Sequence, residues 1–72
     1  MGSISRNVAA ASVRMVIGTE EREIRSIKEA KGFLREHRAG ALADLILSDM
    51  DVKAPGALVA FRNKLEMVRA VL

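Results

Sequence analysis

At Ser26 the hydrophobic rhythm of the chain changes, and this limits the fold more than any other feature of the sequence. Upstream, Val13, Met15 and Ile17 alternate with Arg14 and Val16, the period-2 signature of a strand with one buried face. Gly18-Thr19-Glu20-Glu21 supplies a turn, and Arg22-Glu23-Ile24-Arg25 returns as a second strand with Ile24 inward and charge outward. Downstream the period becomes helical. Ser26-Ile27-Lys28-Glu29 fits a capping box, in which the Ser26 hydroxyl and the Glu29 carboxylate each satisfy a free backbone N–H at the helix start. At about 100° per residue, Ile27, Ala30, Phe33, Leu34 and His37 fall within an arc of roughly 120° that faces the core.

A two-stranded hairpin alone is marginal in water, so it must lie against helices or extend a sheet in a second subunit. Two more helices follow. His37-Arg38-Ala39-Gly40 breaks the first, with basic residues suited to its negative carbonyl end. A second helix is predicted from about Ala41 to Met50. Asp51 to Gly56 reads as a loop, with Pro55 able to begin a third helix from about Gly56 to Leu72. The predicted class is therefore α+β, an N-terminal two-stranded β-hairpin followed by three α-helices. Residues 1–11 read as a flexible arm and 12–72 as a single domain.

A chain of 72 residues buries only about 60% of the surface its unfolded form exposes, so its stability is marginal without added support. Disulfides cannot give that support, since the sequence has no cysteine. The same lack removes thiolate nucleophiles and cysteine-ligated zinc, and points to a reducing, cytoplasmic home. Half of the residues are nonetheless hydrophobic. Leu42, Ala43, Leu45, Ile46, Leu47 and Met50 cover more than half of the second helix, leaving Asp44 and Ser48 as its polar edge. On the third, Leu58, Phe61, Leu65, Val68 and Leu72 make a tight stripe, with Val59, Met67 and Ala70 largely off it. That surplus predicts a homo-oligomer joined through the second or third helix, with Ile46, Met50, Val59 and Met67 as candidate contacts.

Twelve Lys and Arg against nine Asp and Glu give a formal charge of +3. Lys28, Lys31, Arg35 and Arg38 share an arc of about 80° on the first helix. This stripe is the second candidate partner-binding surface. Its simplest reading is a solvated helix face, yet like charges at i,i+4 repel by a few tenths of a kcal/mol, roughly, which a purely solvating face would avoid. A nucleic-acid role is the alternative. Sequence-specific reading by a helix-turn-helix is disfavoured, because the second helix opens Ala41-Leu42-Ala43-Asp44 and the third Ala57-Leu58-Val59-Ala60. Base edges and phosphates want Arg, Lys, Asn or Gln there. Phe33 and Phe61 are the only aromatics, too few for a base-stacking platform.

No catalytic constellation is visible. His37 stands alone at the margin of an apolar face and reads as a packed or capping imidazole. Asp49 and Asp51 resemble the start of a calcium loop, but Lys53 and Ala54 fall where a ligand and a glycine belong. The expectation is a non-catalytic interaction or regulatory module with no cofactor and no metal. No run approaches the roughly 20 apolar residues of a membrane span, and Arg14 interrupts what would be a signal sequence.

The order strand, turn, strand, then I-x-S-x-x-E-A opening a helix, then two more helices resembles a family of small bacterial proteins known as domain of unknown function 982. Ile24, Ser26, Glu29, Ala30 and Leu34 carry the likeness, with Phe61 where the family has an aromatic in its last helix. His37-Arg38 stands where the family tends to have Trp-Pro. The resemblance would cover most of residues 13–72; it implies an α+β layout and no known chemistry.

Overall fold

The computed structural model describes residues 12–71, so the arm expected at 1–11 and the stripe residue Leu72 lie outside the described residues. Strand β1, Val13–Ile17, pairs antiparallel with β2, Glu20–Ile24, in the register Ile17↔Glu20 through Val13↔Ile24. Three helices follow, α1 (Ile27–Glu36), α2 (Gly40–Ser48) and α3 (Ala57–Val71). The expected α+β layout is therefore present.

The turn is shorter than the four residues expected. Only Gly18 and Thr19 lie outside the ladder, and Glu20 and Glu21 belong to β2. Gly18, with φ +63, takes the first central position, the one that a type II′ hairpin turn reserves for glycine. Glycine thus suffices to reverse the chain. Glu20 is drawn into the strand by partners on Arg22 and α1 that sequence spacing does not reveal.

Ser26 caps α1 as expected, its Oγ accepting the Glu29 N–H at 3.1 Å. The Glu29 carboxylate returns the bond one residue earlier than a strict box, accepting from Arg25 N–H at 2.8 Å. At the other end, Arg38 N–H donates to the Arg35 carbonyl at 3.1 Å and Ala39 N–H to the Leu34 carbonyl at 2.7 Å. This is a Schellman termination. Its left-handed residue is Arg38, φ +62, where glycine is usual. Gly40, expected in the break, is instead the first residue of α2.

Val13, Met15 and Ile24 on the hairpin, Ala30, Phe33 and Leu34 on α1, Ala43 and Ile46 on α2, and Leu58, Phe61 and Leu65 on α3 form one core. The predicted arc of α1 is the buried one, with Ile27 and His37 half-buried at its margins. Both hairpin edges are guarded. In a two-residue hairpin the turn-flanking pair is hydrogen-bonded, so Val16 directs its backbone groups away from β2. Arg69 on α3 donates to the Val16 carbonyl and covers that edge. On the opposite strand Glu21 and Glu23, both exposed, place charge along the rim.

Candidate functional site

Three surface features bring chemical groups together. The first joins the hairpin to α1. Arg22 donates to Glu36 through Nη1 (3.2 Å) and Nη2 (2.8 Å), and to Glu20 Oε2 at 2.5 Å, while its guanidinium sits 4.5 Å from the Phe33 ring centroid. His37 Nε2 meets Glu20 Oε1 at 2.8 Å, and its ring packs edge-on to Phe33 at 5.0 Å. Arg22 holds the Glu20 and Glu36 carboxyls below the usual 4.5, with His37 a second contributor at Glu20. The two acids push the guanidinium pKa up in return. Every carboxylate oxygen here has a partner, so the cluster works as a clasp between β2 and α1. His37 is packed against Phe33, one of the two roles expected of it, and its bridge to Glu20 is an addition.

The second feature is an open groove of about 440 Å³ between α2 and α3, lined by Leu45, Ile46, Ser48, Asp49, Lys64, Met67 and Val68. Ile46 and Val68 form its floor. Leu45, 68% exposed, and Met67, 69% exposed, stand on its walls. One turn beyond Met67, on the same side of α3, Val71 is exposed as well. Asp49 and Lys64 bridge the groove mouth at 3.6 Å. Of the four apolar contacts expected from sequence, the structure brings Ile46 and Met67 together here. Met50 packs half-buried against the core, and Val59 is exposed but lies about 80° around α3 from Met67. Leu45, which counted only as part of a broad apolar circumference, is the most exposed apolar side chain of this groove after Met67.

The third is a basic groove of about 460 Å³ on α1, lined by Ile27, Lys28, Lys31, Gly32 and Arg35. Three of the four predicted stripe residues meet there. Arg38, past the helix end in its left-handed conformation, is not part of the lining. Lys31 reaches Asp44 of α2 at 4.0 Å, the limit of an ion pair. Gly32 was not singled out by the sequence. A glycine inside a helix is a signal in itself, since it costs about 1 kcal/mol against alanine.

Among the described residues, no group of three or more His, Cys, Asp or Glu could hold a metal ion, and no helix is long and apolar enough to cross a membrane. No family model, no curated protein and no solved structure matches this chain.

Proposed function

We propose that this chain is a non-catalytic interaction module that self-associates through the α2–α3 groove, acting in a reducing compartment such as the cytoplasm. The observation that carries this reading is the pair Leu45 and Met67, two long apolar side chains mostly in solvent above an apolar floor. Soluble chains rarely leave such a face uncovered when its rim is polar. Completing the burial of each side chain would contribute about 1–2 kcal/mol.

A second copy fits this face better than an unrelated partner does. The rim carries one acid and one base, Asp49 and Lys64. Across a two-fold axis the same patch meets itself, so Lys64 of each chain can reach Asp49 of the other without placing like charges together. The basic groove has no such property. Membership of the domain of unknown function 982 family, which rests on Ile24, Ser26, Glu29, Ala30 and Leu34, belongs to the same proposal.

Light scattering after gel filtration tests it. The patch is small, so a concentration-dependent dimer is expected in the micromolar range, and Leu45→Glu with Met67→Glu should return a folded monomer. A strict monomer at about 100 μM, an amount at which a micromolar dimer would be mostly assembled, overturns the reading.

A further inference from the structure

We propose that the basic groove of α1 binds the phosphate backbone of duplex DNA without reading its sequence. The charge distribution is the first argument. Three of the chain's twelve Lys and Arg, Lys28, Lys31 and Arg35, line this one groove, and no Asp or Glu lines it. Among the described residues no carboxylate comes within ion-pair distance of Lys28 or Arg35, and Lys31 reaches Asp44 only at 4.0 Å. The positive field is therefore concentrated, and concentration of one sign is what draws a polyanion.

The shape of the groove is the second argument. Lys28, Gly32 and Arg35 follow one another at i, i+4 and i+7 on one helix face, with a glycine between the two cations. A Cβ built on Gly32 would meet nothing within 4 Å, so packing inside this chain does not require glycine there. The gap lets a ligand approach the helix closely while basic side chains close around it.

The kind of polyanion follows from what else the face carries. A protein partner would need apolar anchors, and the exposed large hydrophobics lie elsewhere, at Val16, Leu45, Val52, Val59, Met67 and Val71. Single strands want aromatic platforms, and Phe33 and Phe61 are both fully buried. The charged lining is Lys28, Lys31 and Arg35 with no Asn or Gln beside them, a set suited to phosphate oxygens more than to a defined base sequence. Phosphates of a duplex remain, held by position and charge alone.

Fluorescence anisotropy of a labelled 20-base-pair DNA duplex of arbitrary sequence, titrated with the full chain, provides the test. Three phosphate contacts predict a slope of about −2.7 in log affinity against log salt, or roughly forty-fold weaker binding at 200 mM than at 50 mM. Lys28→Gln with Arg35→Gln should lower that slope by about two contacts' worth, whereas Lys53→Gln with Arg62→Gln, an equal charge loss elsewhere, should leave it unchanged. Gly32→Leu keeps every charge but fills the gap, and should weaken binding several-fold in a chain with an undiminished far-UV circular dichroism spectrum. No anisotropy change at 50 mM salt overturns the proposal. So does equal loss in the Lys53/Arg62 control, unaltered affinity in Gly32→Leu, or displacement of the duplex by poly-glutamate at equal or lower charge concentration, which would identify an acidic protein segment as the occupant.

Discussion

Where β2 meets α1, Arg22 stacks on Phe33 and holds two carboxylates; where α2 meets α3, Leu45 and Met67 stand in water over an unfilled groove. Both junctions join neighbouring elements of one small fold. At the first, polar groups left over by the strand and the helix satisfy each other, and the aromatic beneath them is sealed. At the second, apolar circumference exceeds what the core accepts, and only the single Asp49–Lys64 pair bridges the mouth. The difference separates surface whose groups satisfy one another within the chain from apolar surface left in solvent.

Mutations can widen or erase that contrast. Phe33→Ala should have the largest effect, since the ring is fully buried beneath Arg22 and His37. A loss of about 3–5 kcal/mol is expected in urea denaturation, enough to leave a domain of this size largely unfolded. Acid acts on the same clasp. Glu20 and Glu36 titrate below 4.5 because Arg22 hydrogen-bonds their carboxylates. A folded-state value depressed in this way stabilises the fold above the unfolded value, and its contribution disappears as pH falls through the folded one. Melting temperature should therefore drop below about pH 4.5, and Arg22→Met should flatten that drop while lowering the neutral-pH value.

Ser26→Ala removes the bond to Glu29 N–H and should cost about 1 kcal/mol. Gly32→Ala should act in the opposite direction, stabilising by about 0.5–1 kcal/mol, because the added methyl meets no neighbour and the helix gains propensity. Thermal melts would read both. Smallest of all, Val71→Ala at the far end of the α2–α3 face should change unfolding free energy by less than about 0.5 kcal/mol. A large loss in that variant, measured on the dilute monomer, would mean that the face belongs to the core after all.

The same two junctions mark how far the sequence could be read. Strand alternation, the Ser26 cap and the buried arc of α1 depend on spacings of two to four residues, and each is present. The clasp was not legible, because Arg22 meets Glu36 14 positions away and His37 meets Glu20 17 positions away. No periodicity connects such pairs. The end of α1 was legible in place but not in mechanism: Arg38 adopts the left-handed conformation, and Gly40 goes into the next helix. Surplus apolar residues on α2 and α3 were visible on a helical wheel, but the wheel could not say that Met50 turns to the core while Leu45 turns away. That depends on where α3 lies.

The bond from Arg69 to the Val16 carbonyl joins groups 53 positions apart, at nearly opposite ends of the described chain. During synthesis the hairpin precedes the residue that covers its outer strand by 53 positions, and until then that edge is open to any extended segment nearby. The last turn of α3 therefore covers a strand edge that would otherwise present unpaired backbone groups. Its loss would be felt first as aggregation during production, before any change in the melting curve of the finished molecule.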